Sequence, residues 1–139
     1  MAFSPTARGL LTGTLRDPAT LHDKDLRRGM PRFQADNCAR NLRLLDAYAA
    51  IARDAGCSMA QLALAWVLSR GDDVIALPGT TQLAHLEDNL GAAGVRLGDD
   101  VLQRLDALIH RRSVHGARCG AATQAEIDTE DFPVPATGG

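Results

Sequence analysis

Two short apolar segments, each followed within two residues by proline, constrain the fold of this chain more than any other feature. The first, residues 2–3, precedes a Ser-Pro pair, and the second, residues 74–77, precedes a Pro-Gly pair. A long polar loop and two helical patterns lie between them, and two more helical patterns follow. Because strands joined by helical crossovers are parallel, this order predicts an α/β fold in which both segments are parallel strands.

The four helical patterns differ in the width of their apolar faces. The first is expected to end near Gly56 and has one apolar face, formed by Leu42, Leu45, Ala49 and Ala52. The second begins with Ser58 to Gln61, which has the form of a capping box, and its residues 62–68 are apolar on all sides. This composition predicts a helix that is buried on most of its surface.

The two helices after the second strand are both amphipathic. Thr80 and Thr81 are the expected N-cap of the third, whose predicted apolar face consists of Leu83, Leu86, Leu90 and Ala93. The fourth is expected from about residue 99 to residue 110, with two aspartates near its positive N-terminal end.

A long loop separates the first strand from the first helix, and the chain contains a single lysine and a single tyrosine. Residues 14–36 lack a steady period, and loops of that length in compact domains are usually functional or disordered. Lys24 lies in this loop without apolar neighbours, which predicts a solvated lysine. Tyr48 lies beside the apolar stripe of the first helix, so we expect a buried or rim aromatic and not a proton donor.

Composition excludes several classes of protein. The chain has 139 residues with 15 Lys and Arg against 17 Asp and Glu, which suits one cored domain and gives no positive excess for nucleic acid or anionic membranes. It contains no apolar run of about 20 residues and no leader pattern, so a cytoplasmic protein is expected. Its three cysteines and four histidines show no CxxC or HExxH spacing, which predicts neither a disulfide framework nor a metal site.

Three stretches, taken together, resemble one known family. Residues 3–13 read Phe-Ser-Pro-Thr-Ala-Arg-Gly-Leu-Leu-Thr-Gly, and residues 60–68 read Ala-Gln-Leu-Ala-Leu-Ala-Trp-Val-Leu. Residues 77–81 read Leu-Pro-Gly-Thr-Thr and are followed by Leu-Glu-Asp-Asn-Leu-Gly-Ala at 86–92. In this order they resemble the C-terminal part of the aldo-keto reductases, NADPH-dependent carbonyl reductases with a (β/α)8-barrel fold.

The resemblance implies both an architecture and an activity. Residues 1–110 would form the seventh and eighth β/α units of a TIM barrel, with two short parallel strands and four main helices, and residues 111–139 a mobile tail. The chain would be a fragment of an enzyme that reduces aldehydes or ketones by hydride transfer. It would retain the cofactor-binding motifs and lack the catalytic tetrad, so that it would be inactive alone.

The resemblance also assigns eleven residues to the cofactor site. Phe3 matches the aromatic residue that stacks on the nicotinamide ring, and the pyrophosphate contacts are matched by Ser4, Pro5, Thr6 and Arg8. The segment that holds the adenosine 2′-phosphate and the adenine is matched by Gly79, Thr80, Thr81, His85, Asp88 and Asn89. A helix N-terminus after Thr81 would independently suit a phosphate at a strand end.

Several positions depart from the family pattern. Gly79 stands where many relatives have a lysine and His85 where many have an arginine, so NADH is not excluded as the cofactor. Thr6 and Ala7 replace leucine and glycine. The family's catalytic Tyr, Lys, Asp and His come from earlier strands, so no catalytic residue is assigned here, and a further chain could supply the missing strands.

Two other classes of function remain open. Exposed strand edges and an uncovered apolar face would also suit a self-associating interaction module without activity. The spacing of Ala52, Gly56 and Leu62 is compatible with a DNA-binding helix-turn-helix. In its second helix, however, only Ser58 and Gln61 could reach a base edge, which argues against that alternative.

Overall fold

The computed structural model describes residues 1–126, and its two strands are parallel. Strand β1 (Ala2–Phe3) pairs with β2 (Ala76–Leu77), with Ala2 opposite Ala76 and Phe3 opposite Leu77. The remaining elements are helices α1 (Ala35–Asp54), α2 (Met59–Leu68), α3 (Leu83–Gly91), α4 (Asp99–Leu108) and the short α5 (Ala121–Ala125). The predicted α/β arrangement with two parallel strands and four main helices is confirmed.

The loop predicted at residues 14–36 ends at residue 34, because α1 begins at Ala35, and it is folded onto α1. It contains three 3-10 turns, Pro18–Thr20, Leu26–Gly29 and Pro31–Phe33. Its buried side chains join the N-terminal segment and α1 in one apolar cluster of Leu10, Leu15, Leu21, Phe33 and Leu45.

Helices α1, α2 and α4 share a second apolar cluster. It consists of Tyr48, Ile51, Ala52, Leu62, Ala63 and Leu105. The predicted face of α1 is confirmed at Leu45 and Ala52, which are buried, whereas Leu42 and Ala49 are half-buried. Asn41 and Tyr48, each one position before these two residues, are buried instead. The difference arises because the folded loop and the C-terminal segment also pack on α1. Helix α2 is buried as predicted, and its capping box is present.

The predictions for β2 and α3 are partly wrong. Only two of the four residues expected in the second strand are paired, and Ile75 and Leu77 are 58% and 46% exposed. Helix α3 begins at Leu83 without a side-chain cap, because the Thr80 hydroxyl accepts a hydrogen bond from the Gln82 backbone N–H instead. Its predicted apolar face is exposed. Helix α2 packs on one side of α3, and within the described residues no element covers Leu83 or Leu90.

The segment of residues 111–119 is bonded to α1 and to the turn before it. The Asn41 side chain, 2% exposed, donates to the His115 carbonyl and accepts from the His115 N–H at 2.9 and 2.8 Å. The Arg32 Nε donates to the Gly116 carbonyl at 3.2 Å, and Cys119 is buried. The boundary at residue 110 between the barrel portion and the tail stays a prediction. Residues 127–139 of the proposed tail lie outside the described residues.

Residues 1–126 contain neither a membrane-spanning helix nor a cluster of metal-ligating side chains. No helix in this part of the chain is both long and apolar enough to cross a bilayer. Within the same residues, no three or more His, Cys, Asp or Glu side chains are grouped as metal ligands would be.

Candidate functional site

A groove with a volume of about 970 Å³ lies at the carboxyl ends of both strands. Parallel α/β folds bind ligands at this end of their strands. The N-terminal turns of α2 and α3 and Arg27 of the long loop complete its walls. All eleven residues assigned from the sequence line it, namely Phe3, Ser4, Pro5, Thr6, Arg8, Gly79, Thr80, Thr81, His85, Asp88 and Asn89.

The backbone after β1 has an unusual conformation. Ser4, Ala7 and Arg8 have φ angles of 51°, 52° and 56°, in the left-handed region that non-glycine residues rarely adopt. Backbone hydrogen bonds hold this turn in place, from Ala7 N–H to the Ser4 carbonyl at 2.9 Å and from Leu11 N–H to the Thr6 carbonyl at 3.1 Å. Such strained positions cluster at ligand-binding sites because the surrounding structure must impose them.

Two arginines bring positive charge to the groove. The Arg8 guanidinium is half-buried and makes no ion pair or hydrogen bond to any side chain within residues 1–126. The Arg27 side chain donates from Nη1 to the Arg8 carbonyl at 3.1 Å, so it supports the strained turn directly.

Asp25 holds Arg27 in this position. The Arg27 Nη2 lies 2.7 Å from Asp25 Oδ2, and its Nε donates to Oδ1 at 3.0 Å. These hydrogen bonds lower the pKa of Asp25 to about 2 and raise the pKa of Arg27. Arg27 was not among the site residues predicted from the sequence. The sequence feature that could have indicated its role is an Asp-x-Arg motif inside the long loop. There the aspartate caps a 3-10 turn and pairs with the arginine.

Helix α3 is attached to the N-terminus of α2 beside the groove. The Ser58 hydroxyl donates to Asp88 Oδ2 at 2.9 Å, and Gln61 Nε2 donates to the Asp88 carbonyl at 3.1 Å. The capping residues of α2 therefore also position the half-buried Asp88 and Asn89. His85, one turn earlier, is exposed.

The remaining predicted residues lie at the rim. Gly79, Thr80 and Thr81 are exposed, as is 51% of Phe3. The Arg118 guanidinium lies over the Phe3 ring, with its central carbon 4.1 Å from the ring centroid.

Tyr48 and Lys24 do not line the groove. Tyr48 is 2% exposed, and its hydroxyl donates to the Met59 carbonyl at 3.1 Å. Burial raises the pKa of this phenol. Lys24 is exposed in the loop. The described residues that line the groove include no tyrosine and no lysine.

A parallel β/α pair with its groove at the carboxyl ends of the strands is the repeating unit of an α/β barrel. Comparison with known families specifies the class further, because the model of the aldo/keto reductase family matches residues 1–110. The chain belongs to this family.

Individual relatives agree with the family match. The chain is 36% identical over 135 residues to the aldo-keto reductase yakc [NADP(+)] of Schizosaccharomyces pombe and 32% identical over 133 residues to the aldo-keto reductase str7 of Strobilurus tenacellus. Each match covers 96% of this chain and 40% of the relative.

A solved structure gives the same result for the fold. The glycerol dehydrogenase AKR11B4 of Gluconobacter oxydans matches with a TM-score of 0.70 and 31% identity, over 78% of this chain and 33% of that one. The fold is therefore part of a TIM barrel, in which residues 1–126 contribute two strands where a complete barrel has eight.

Proposed function

We propose that the groove binds NADPH, and that the chain supplies the cofactor-binding part of an aldo-keto reductase that reduces aldehydes or ketones. The observation that carries this proposal is the convergence of eleven residues, assigned from separate stretches of sequence, on one groove. The name of the fission yeast relative, which includes NADP(+), is consistent with this cofactor.

The residues of the groove suit the chemistry of a dinucleotide. The Arg8 guanidinium and the turn around it would face the pyrophosphate, because a half-buried cation favours a phosphate partner. The N-terminus of α3 and the exposed hydroxyls of Thr80 and Thr81 would bind the 2′-phosphate, because the first N–H groups of a helix are unpaired. The half-exposed ring of Phe3 would contact the nicotinamide, which supplies the hydride when bound.

We also propose that the proton donor for carbonyl reduction comes from outside residues 1–126. The hydroxyl of Tyr48 is committed to the Met59 carbonyl, and Lys24 lies in solvent outside the groove. On this proposal the chain alone binds NADPH without oxidising it in the presence of an aldehyde.

Titration of the purified chain with NADPH, followed by dihydronicotinamide fluorescence, tests the binding step. We expect saturable binding that weakens about tenfold in Arg8→Gln, because a charge-assisted hydrogen bond to phosphate is lost. Arg43→Gln removes an exposed arginine of α1 outside the groove and serves as the matched control. Absence of binding, or equal losses in both variants, would contradict the proposal.

Addition of an aldehyde to the NADPH-loaded chain tests the second step. We expect no change in nicotinamide absorbance beyond the rate without protein. Turnover that persists in Tyr48→Phe would instead place a proton donor elsewhere in this chain, while leaving the assignment of the groove intact.

A self-associating module is the second candidate function. The exposed leucines of α3 and the two-stranded sheet with open edges favour it, because apolar faces and unpaired strand edges promote association between chains. Association does not exclude dinucleotide binding, since the groove lies at the strand ends.

A further inference from the structure

The two carboxylate oxygens of Asp88 differ in their hydrogen bonding. Oδ2 accepts from the Ser58 hydroxyl at 2.9 Å, whereas Oδ1 makes no hydrogen bond or ion pair within residues 1–126. Asp88 is half-buried, and both residues line the groove. An ionised carboxylate accepts hydrogen bonds at both oxygens and donates none. Oδ1 is therefore the oxygen that remains for a donor group of a ligand.

The Ser58 hydroxyl has a fixed orientation because it also caps α2. Its Oγ accepts from the Gln61 backbone N–H at 3.0 Å, and the Ser58 N–H donates to Gln61 Oε1 at 3.2 Å. A hydroxyl has a single proton to donate. With its oxygen accepting from the helix, that proton goes to Asp88 Oδ2.

The backbone of Asp88 is held by the same turn of α2. Gln61 Nε2 donates to the Asp88 carbonyl at 3.1 Å. A β-carbon on Gly91 would lie 2.5 Å from this nitrogen, so a side chain at residue 91 would displace the amide. The N-terminal end of a helix also favours a negative charge beside it. The first turn of α2 thus fixes both the main chain and the carboxylate of Asp88.

The base of a dinucleotide carries a group that suits Asp88 Oδ1. On the proposed function the 2′-phosphate lies at the N-terminus of α3, and the base attached to the same ribose would reach the later turns of this helix. Adenine has an exocyclic amine, which is a hydrogen-bond donor. Hypoxanthine has a carbonyl oxygen in its place, and no proton would lie between that oxygen and the carboxylate.

We propose that Ser58 is a positioning residue for recognition of the adenine base. Its hydroxyl holds Oδ2 of Asp88 and thereby directs Oδ1 to the exocyclic amine, so that the groove selects adenine over hypoxanthine. Ser58 acts through Asp88 and not through a contact of its own with the base. The inference rests on the proposed binding of NADPH and extends it from the phosphates to the identity of the base.

Fluorescence titrations with NADPH and with its deamino analogue, in which hypoxanthine replaces adenine, test the proposal. The two dinucleotides carry the same charge, so general electrostatic effects cancel in the ratio of their dissociation constants. We expect the unmodified chain to bind NADPH about tenfold more tightly, as one hydrogen bond to a charged group would give. Ser58→Ala should reduce this ratio about threefold, because the Asp88 side chain loses the donor that fixes it.

Two further variants separate positioning from stability, because Ser58→Ala also removes the N-cap of α2. Ser58→Asp retains an N-cap acceptor but places a second carboxylate beside Asp88, so the ratio should fall about as far as in Ser58→Ala. Ser58→Thr retains both the acceptor and the proton, and its ratio should stay within about twofold of the unmodified chain. Urea unfolding of each variant is measured alongside, and Ser58→Asp decides the test if Ser58→Ala is less stable.

Ser69→Ala is the matched control at the other end of α2. The Ser69 hydroxyl is exposed, donates to the Trp66 carbonyl at 2.8 Å and does not line the groove, so its loss should leave the ratio unchanged. Equal affinities of the unmodified chain for both dinucleotides, an unchanged ratio in Ser58→Asp, or an equal fall in Ser58→Thr or Ser69→Ala would each overturn the proposal. Failure of the unmodified chain to bind either dinucleotide would overturn the proposed function as well.

Discussion

Ala7 shows how a single residue can store backbone strain at the groove. Its φ of 52° puts the residue in the left-handed backbone region. There the β-carbon crowds the following carbonyl oxygen, which costs a non-glycine residue about 1–2 kcal/mol. The family motif has glycine at this position. The strain is maintained by the hydrogen bonds of the turn and by the Arg27 contact with the Arg8 carbonyl.

Ala7→Gly is expected to stabilise the chain by about 0.5 kcal/mol. Relief of the left-handed strain exceeds the added entropy of glycine in the unfolded state, which costs about 0.4–1 kcal/mol. Urea unfolding followed by circular dichroism measures the difference. Ala47→Gly, at an exposed interior position of α1, should instead destabilise by about 1 kcal/mol. Losses in both variants would contradict the strain at Ala7.

His85→Arg is expected to tighten NADPH binding about fivefold and to leave NADH binding unchanged. Only NADPH carries the 2′-phosphate, and a guanidinium binds phosphate better than an imidazole does because it is always charged and donates in a fixed fork. Fluorescence titrations with both cofactors give the two affinities. Ala84→Arg adds the same charge at an exposed neighbour that does not line the groove. An equal gain in Ala84→Arg would assign the effect to general electrostatics.

At the scale of elements, the ion pair of Asp25 and Arg27 holds the long loop against the groove. Asp25 positions Arg27, and Arg27 in turn donates to the Arg8 carbonyl in the turn after β1. In the folded chain the pKa of Asp25 falls from 3.8 to about 2 because Arg27 donates hydrogen bonds to the ionised carboxylate. A lowered folded-state pKa means that ionised Asp25 stabilises the fold above about pH 4. This contribution is lost as the pH falls towards 2.

Asp25→Asn is therefore expected to lower the free energy of unfolding by about 1–2 kcal/mol at pH 7. This value is smaller than the full pKa shift would give, because solvent screens the exposed part of the ion pair. The difference from the unmodified chain should shrink as the pH falls from 4 to 2. Urea unfolding at several pH values measures it. Asp23→Asn removes a carboxylate that is 94% exposed, 3.6 Å from Arg28, and should change little. A difference that does not depend on pH would count against the ion pair.

Local sequence patterns predicted some elements well and others poorly. The capping box at Ser58 is a contact between residues three apart, so the sequence alone sufficed to identify it. The buried face of α1 depends on where residues 14–34 and 111–119 fold, so its prediction was confirmed at Leu45 and Ala52 and wrong at Leu42 and Ala49. Arg27 was missed because its role depends on a contact with Arg8, 19 residues away.

At the scale of the whole molecule, two strands and the helices beside them leave apolar surface uncovered. Leu83 and Leu90 are 71% and 67% exposed, and Ile75 and Leu77 are also exposed. In an α/β barrel the helix after a strand packs on the sheet and on neighbouring helices. The described residues provide only α2 for that purpose, so amphipathic α3 keeps its apolar face in solvent.

This surface predicts concentration-dependent self-association of the chain. Leu83→Glu with Leu90→Glu should lower the average mass measured by light scattering, because it replaces the exposed apolar face with charge. Gln103→Glu with Ala107→Glu makes the same change in net charge at exposed positions of α4 and should leave association unchanged. A chain that stays monomeric at all concentrations would contradict this prediction.

The sequence by itself determined the order of the elements, the parallel relation of the strands, the buried α2 and the family. These follow from periodicity, turn residues and short motifs, which are local in the chain. Tertiary structure alone decided which side chains share a cavity, how Arg27 reaches Arg8, and which apolar faces remain exposed. Those features depend on contacts between residues far apart in sequence, whose geometry no local pattern specifies.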